Sequence, residues 1–402
     1  MFEFMRKRKA DTAPEGKASA VGPLTAGLPG GNRAMVTGLA GASGWAARDG
    51  NALVRGGFQG NPVGFRAVRL IAEAASALPL VLQDAERRYE DHPLMALVTR
   101  PNPAQGRAEL FEALYSQLLL SGDGYVEAVR AEGAELPVEL HVLRSDRMSV
   151  VPGADGWPVG YDYTVGTRRH RFRMGDGPAP VLHVRSFHPT DDHYGLSPLE
   201  AAATAIDVHN AAARWSRALL DNAARPSGAI VYRGPEGQGT MTAEQFERLQ
   251  AEMEAHHQGA RNAGRPMLLE GGLDWKPMGF SPSDMEFHRT KEAAARDIAI
   301  AFGVPPMLLG IPGDATYANY QEANRAFYRL TVLPLVSRVT AAVAHWLSGF
   351  SGEEIALRPD LDQVPALAPE REATWRRVGE ASFLTQAEKR ALLGLPPVMD
   401  GG

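Results

Sequence analysis

Cysteine is absent from all 402 residues. A chain without cysteine forms no disulfide, holds no iron–sulfur cluster and builds no thiolate zinc site. Aromatic residues make up only 7% and are scattered, so a stacking platform for single-stranded nucleic acid has no support. The remainder, 44% hydrophobic and 22% charged, is typical of a folded protein with room for two or three compact units.

An excess of basic residues is also missing. The chain has 42 Lys and Arg against 47 Asp and Glu, for a net charge of −5. Each phosphate that a protein neutralises releases counterions, so tight nucleic-acid binders usually carry net positive charge. We therefore expect any contact with DNA to be loose or to depend on confinement.

Long uninterrupted apolar runs are lacking too. The most apolar long segment, Leu330–Leu347, contains Pro334, Ser337 and Arg338. A membrane helix needs about 20 mainly apolar residues. No membrane association is expected.

Motifs for nucleotide binding and for serine hydrolysis do not occur: G-x-x-x-x-G-K-[ST], G-x-G-x-x-G and G-x-S-x-G are all absent. One stretch is rich in potential metal ligands: His183, His188, Asp191, Asp192 and His193. Its spacing matches no pair of histidines one helical turn apart, and it is typical of a strand that ends in a polar loop. No catalytic residue, metal or cofactor is predicted, and a metal-dependent hydrolase using His183–His193 stays as an alternative.

One basic run lies inside the expected fold. It comprises Arg168, Arg169, His170, Arg171 and Arg173. Alternate residues of a strand share a face, so Arg169, Arg171 and Arg173 are predicted to point the same way. Such a face can meet phosphate, although charge that protects an exposed sheet edge explains the run as well.

The order of elements is predicted as follows. Residues 1–60, rich in Gly, Ala and Pro, are interpreted as a flexible arm. Residues 61–196 read as mixed helix and strand, starting at the cap Asn61-Pro62. Capping boxes then mark four helix starts. They are Ser197/Glu200, Thr242/Gln245, Ser283/Glu286 and Thr385/Glu388.

Two long helices are expected to flank an insert. The first is predicted to run unbroken from Pro198 to about Ala224, roughly 40 Å at 1.5 Å per residue. The second ends at Gly303 and is followed by a loop rich in Gly and Pro. A further helix with Pro334 in its middle is expected to bend there.

Several segments in this order resemble the portal family of tailed phages, in particular the Hong Kong 97-type class. They are Arg100-Pro101-Asn102-Pro103, Gly122-Asp123-Gly124-Tyr125-Val126, Gly195-Leu196-Ser197-Pro198, Ala223-Ala224-Arg225-Pro226, Phe302-Gly303-Val304-Pro305-Pro306 and Thr316-Tyr317-Ala318-Asn319. The resemblance extends from about residue 62 to Pro397. The relatively short, Ala- and Arg-rich chain suits a gene transfer agent or a prophage.

The resemblance implies an α+β, mainly helical portal fold with wing, stem, clip and crown regions. The implied parts are a wing (61–196), two stem helices (197–225 and 283–303), a clip (226–282), a tunnel loop (304–319), a kinked wing helix (320–348) and a crown-side segment (349–402). It further implies roles for three sets of residues. These are Gly310, Gly313, Asp314, Ala315, Thr316 and Tyr317 in the tunnel loop, Arg289, Lys291 and Arg296 on a stem helix facing the channel, and Glu244, Glu247, Glu252 and Glu254 on the clip. The stretch from Gly310 to Asn319 has no Lys or Arg, so the loop is not expected to grip phosphate.

The partners follow from the same resemblance. A portal subunit is expected in a closed ring of twelve at one capsid vertex of a virion or phage-like particle, assembled in the host cytoplasm. Double-stranded DNA, the terminase, a head–tail adaptor and the major capsid protein are the implied partners. A capsid or connector protein that does not line the DNA path is a further alternative.

Overall fold

The computed structural model describes residues 50–175, 177–221, 228–232, 242–256, 273–277, 282–313 and 316–395. The helices are α1 (Gly50–Val54), α2 (Pro62–Ser76), α3 (Pro93–Thr99), α4 (Arg107–Ser121), α5 (Pro198–Ala201), α6 (Ala203–Asp221), α7 (Ala243–His256), α8 (Pro282–Ala301), α9 (Tyr317–Phe327), α10 (Leu333–Ser351), α11 (Ala368–Glu380) and α12 (Gln386–Leu393). The strands are β1 (Leu80–Gln83), β2 (Arg88–Tyr89), β3 (Asp123–Val129), β4 (Glu139–Leu143), β5 (Met148–Pro152), β6 (Pro158–Val165), β7 (Arg168–Arg173), β8 (Val181–Arg185), β9 (Gly228–Tyr232), β10 (Leu273–Pro277) and β11 (Ala356–Pro359).

The largest hydrophobic core lies among α2, α4, α6, α8 and α10. Ile71, Leu114, Ile206, Ile298 and Val336 are all fully or almost fully buried in it. In α2 the buried residues Ala67, Val68, Ile71, Ala72 and Ala75 recur at helical spacing, so this helix turns one apolar face inward. The mixed, mainly helical architecture predicted from the sequence is confirmed.

The strands form small antiparallel sheets. Their orders are β11-β1-β2, β4-β3-β8, β5-β6-β7 and β10-β9. The turn from α4 into β3 depends on Gly122, whose φ is +80° and where an added Cβ would lie 2.2 Å from the carbonyl oxygen of Gly195. That close approach explains why glycine stands at both positions, and it brings the start of α5 beside β3.

The N-terminal boundary of order differs from the prediction. The flexible arm was expected to extend to residue 60, but α1 begins at Gly50 and continues as a π-helical turn through Gln59. Leu53, Val54 and Phe58 pack against the core. These scattered apolar residues lack a clear period, and their helical state depends on that packing. Residues 1–49 lie outside the described residues.

Other boundaries also differ. The first long helix breaks at Ala202, which separates the short α5 from α6, and α6 ends at Asp221 within the described part of the chain. The alternating residues of 139–151 predict one strand, but the structure has two, β4 and β5, separated by a 3₁₀ turn. Helix α3 and strands β2 and β11 were not predicted, because each is too short to show a period.

The sequence predicts a bend at Pro334, and the structure has an irregular helical turn just before this residue. A π-helical turn, Tyr328–Val332, joins α9 to α10, and Pro334 lies in the first turn of α10. A proline there has no amide hydrogen to donate, so the wider turn accommodates the missing bond.

The combined helix Tyr317–Ser351 changes the membrane prediction. Among the described residues it is long and apolar enough to cross a bilayer by length and composition alone. Buried residues make up 44% of its most apolar window, and Val336, Val339 and Val343 lie in the core. The sequence argument that interruptions make this segment unable to span a membrane was therefore wrong. The burial of its apolar residues instead makes this helix part of the protein core.

Candidate functional site: the paired long helices and the loop that follows

The two long helices α6 and α8 pack side by side. They contain 19 and 20 residues, so each spans about 30 Å. The rings of Trp215 on α6 and Phe287 on α8 stack with centroids 4.2 Å apart and an interplanar angle of 21°. Toward the core, Ile206 and Ile298 are almost completely buried. The predicted pairing of the two helices is thus present.

A buried polar network connects the first half of α6 to the N-terminus of α2. Asn61 caps α2 by accepting hydrogen bonds from the amides of Val63 and Gly64 at 3.0 Å each. Its side-chain nitrogen lies 3.2 Å from Nδ1 of His209, which is only 4% exposed. Because this amide nitrogen is a donor, the neutral imidazole accepts at Nδ1.

The same network connects α6 with the π-helical turn that precedes α2. Asn61 also donates to Oδ1 of Asn210 at 2.9 Å, and Asn210 donates to the carbonyl oxygen of Gly56 at 2.9 Å. Burial, and secondarily the charge of Lys291 on α8, lowers the pKa of His209. Sequence reasoning missed this histidine, although it lies on the same helical face as Ala202 and Ile206, where a polar residue is unusual.

The three basic residues predicted to face a channel do not share one side of α8. Arg289 and Arg296 are seven residues apart and lie on the same face, whereas Lys291 is turned by about 200° from Arg289. Lys291 is half-buried and acts electrostatically on His209. Arg296, also half-buried, donates to the carbonyl oxygen of Pro312. Of the three, only Arg289 is exposed.

The loop after α8 begins as packed structure. Gly303 has a φ of +67° and ends the helix, as predicted, and its carbonyl oxygen accepts from Oγ1 of Thr331 at 2.6 Å. A 3₁₀ turn, Pro306–Leu309, ends at Gly310 with a φ of +73°. Ile311 is then buried against Ala295 and Ala299 of α8, in a small separate cluster.

Only the later part of the loop leaves the core. Pro312 and Gly313 are exposed, and Asp314 and Ala315 lie outside the described residues. Thr316 caps α9 by accepting from the amide of Asn319 at 3.2 Å. Tyr317 is 79% exposed.

The insert between the long helices contains β9, α7 and β10. Strands β9 and β10 pair antiparallel, with Trp275 opposite Ile230. Thr242 and Gln245 exchange the reciprocal bonds of a capping box, at 3.0 and 3.3 Å. The clip acids predicted from the sequence all lie on α7: Glu244 and Glu247 are exposed, and the side chains of Glu252 and Glu254 lie outside the description. The sequence also predicts a short strand over 266–269, and this segment lies outside the described residues.

The histidine-rich stretch does not assemble a metal site. Nε2 of His183 lies 2.8 Å from Oδ1 of Asp123, and its ring stacks on Tyr125 with centroids 4.2 Å apart. Asp191 instead accepts from the amides of His193 and Tyr194, which closes the loop. Over the part of the chain that the structure describes, no group of three His, Asp or Glu side chains converges. The hydrolase alternative therefore has no ligand set there.

Comparison with known proteins agrees with this arrangement. The model of the family described as phage portal protein matches residues 62–394. The chain belongs to the phage portal protein family. The match extends from the first residue of α2 to just beyond the end of α12.

Two solved structures contain chains closely similar to this portal protein. A chain in the neck of an empty gene transfer agent (GTA) particle, computed with C6 symmetry, is 70% identical, with a TM-score of 0.73 and coverage of 90% of this chain and 99% of that one. A chain in the neck of a native GTA particle, computed with C12 symmetry, is 69% identical, with a TM-score of 0.72 and coverage of 90% and 100%. The resemblance stated from the sequence is confirmed.

A more distant relative supports the class within the family. The portal protein of Enterobacteria phage HK97 is 25% identical over 354 residues, which are 84% of this chain and 79% of that protein. The predicted likeness to the Hong Kong 97-type class is therefore present along most of both chains.

Proposed function

We propose that this portal protein is one subunit of a closed ring of twelve at a single vertex of a GTA-type particle, and that double-stranded DNA passes through the ring. The observation that carries the proposal is the 69% identical chain of a neck computed with C12 symmetry, matched over nearly its whole length. Closed cyclic symmetry needs two different faces of one subunit to be complementary. A chain so similar over its full length is expected to keep both.

In this proposal α6 and α8 form the wall of the conduit. Helix α8 has four acidic residues, Asp284, Glu286, Glu292 and Asp297, against the bases Arg289, Lys291 and Arg296. A duplex slides only where few phosphates are neutralised, since each neutralised phosphate adds affinity through counterion release. The half-buried position of Lys291 and the hydrogen bond from Arg296 to the carbonyl oxygen of Pro312 support this reading, because both leave fewer cations free for phosphate.

The other parts would meet proteins. The insert with α7 would dock the terminase during packaging and the head–tail adaptor afterwards, and the wing would contact the major capsid protein. Assembly would take place in the host cytoplasm. The proposal assigns no chemical reaction to the chain.

Two measurements test the proposal. Purified protein should form closed rings whose mass corresponds to twelve copies of 43.3 kDa, about 520 kDa by mass photometry. Packaging and ejection by particles with Asp314→Arg should become sensitive to salt, because one added cation per subunit creates a ring of phosphate contacts. Glu380→Arg, an exposed change on α11, is the matched control.

The outcomes separate the competing functions. Monomers at assembly concentrations would argue against any ring. The protein could instead form rings while particles with Asp314→Arg and particles with Glu380→Arg both move DNA like the wild type at low and high salt. That result would favour a connector whose loop does not face the DNA.

A further inference from the structure

The sheet β5-β6-β7 buries only one of its faces. Tyr161 and Phe172 lie opposite each other on β6 and β7 and belong to a second core cluster. Because side chains alternate along a strand, Arg169, Arg171 and Arg173 stand on the other face. All three are exposed, so the sequence-based prediction that they share one face is correct.

A buried carboxylate organises this outer face. Asp162, with a side chain only 7% exposed, accepts from Nε and Nη2 of Arg171 at 2.6 and 2.7 Å. Nη1 of Arg169 lies 3.6 Å from the same carboxylate. The Arg171 guanidinium is therefore held in a fixed plane while 48% of its side chain stays exposed. Charge that merely protects a sheet edge from pairing needs no such positioning.

The row retains charge after this pairing. Arg169 and Arg171 share the single carboxylate of Asp162, and Arg173 forms no ion pair with any residue that the structure describes. Alternate residues of the strand are about 6.8 Å apart, so the three guanidinium groups stand at regular intervals. A regular row of guanidinium groups thus stands on a chain whose net charge is −5.

The chemistry of the face favours a phosphate backbone over an acidic protein. Between and beside the arginines stand Gly160 and Thr164 of β6 and Ser149 and Val151 of β5, of which only Val151 is a larger apolar residue and none is aromatic. The centre of a protein–protein interface is usually rich in such residues. Guanidinium groups match phosphate oxygens in geometry as well as charge.

We propose that the outer face of β5-β6-β7 binds the phosphate backbone of double-stranded DNA without regard to sequence. This site lies on elements separate from the paired helices α6 and α8, and it adds a second DNA contact to the proposed conduit. Its affinity is electrostatic, and it is therefore strongest at low salt.

The test compares two double variants of the full-length protein. Arg169→Gln with Arg173→Gln removes two cations and leaves the Arg171–Asp162 pair intact. Arg376→Gln with Arg377→Gln makes the same charge change on the exposed surface of α11. Binding of a fluorescent 24-base-pair duplex is followed by anisotropy over a salt series from about 50 to 200 mM.

The first pair should lower the slope of log affinity against log salt by at least about 1.8, which is about a 60-fold loss of affinity at 0.1 M salt. The α11 pair should shift the curve far less. Equal shifts for both pairs, or no shift for the first, would overturn the proposal. The proposal would also be overturned if the first pair kept duplex binding and lost binding to poly-glutamate of matched charge. The face would then be a binding site for an acidic protein.

The result does not depend on the conduit. Equilibrium binding by purified protein requires no passage of DNA through a ring. The binding site can therefore be confirmed when the proposed conduit function fails, and the conduit function can be confirmed when the binding site fails. Circular dichroism and ring mass, measured on all variants, exclude a loss of fold as the cause.

Discussion

The side-chain nitrogen of Asn61 lies 3.2 Å from Nδ1 of His209, although 148 residues separate them in the chain. Asn61 caps α2, and His209 lies in α6, the first of the two long helices. The bond is buried and connects the element that begins the matched region with the proposed wall of the conduit. The first two predictions concern this junction.

Asn61→Ala removes both a helix cap and the buried partner of His209. A lost cap costs about 0.5–2 kcal/mol, and a buried group left without a partner costs about 1–3 kcal/mol, so the free energy of unfolding should fall by about 2–4 kcal/mol. Urea unfolding of the purified protein measures it. Gln321→Ala, which removes an exposed hydrogen bond to Tyr317, should change it by less than about 0.5 kcal/mol. Similar losses in the two variants would contradict the structural importance of the junction.

His209 should make stability depend on pH. Its pKa is lowered in the folded protein, by burial first and then by Lys291. Below the unfolded-state pKa of about 6.5, the unfolded chain therefore binds a proton that the folded chain does not. The contribution of His209 to the free energy of unfolding is therefore complete above the unfolded-state pKa. It is lost as the pH falls from that value toward the lower pKa of the folded protein.

His209→Gln should flatten this dependence because glutamine does not titrate. The measurement is the free energy of unfolding of wild type and variant at about pH 7.5 and 5.5. An identical difference between the two pH values in both proteins would show that another group is responsible.

The stacked rings of Trp215 and Phe287 should couple the two long helices. A double-mutant cycle with Trp215→Leu and Phe287→Leu keeps apolar side chains and removes the ring contact. We expect a coupling energy of about 0.5–1.5 kcal/mol in chemical unfolding. Strictly additive effects would mean that the stack contributes nothing beyond the area it buries.

The exposed acids of α7 test the proposed docking role of the insert. Glu244→Lys with Glu247→Lys should weaken terminase binding roughly tenfold or more, because like charges brought together at an interface cost over about 1.4 kcal/mol. Rings should still form, since both residues are exposed. Glu372→Lys with Glu380→Lys on α11 provides the control for net charge. An equal loss of terminase binding in both variants, or a failure to form rings, would contradict a docking role for the insert.

Much of the candidate site was predictable because its signals are local. Asn61-Pro62, Ser197-Pro198 and Thr385/Glu388 specify helix starts through side chains only two or three residues from the amides that they cap. Gly303 ends α8 because a positive φ is easiest for glycine. The portal resemblance likewise rested on short segments in a fixed order.

The sequence by itself determined most of the longer helices and strands, the capped starts and glycine ends of several of them, and the family to which the chain belongs. Only the tertiary structure decided which side chains are free to act. Lys291 and Arg296 look like channel cations in the sequence, but packing places one near His209 and ties the other to Pro312. Asp162 looks like an ordinary strand residue until the pairing of β6 with β7 puts it under Arg171. Such contacts depend on the three-dimensional packing of separate elements, and no local pattern of residues encodes them.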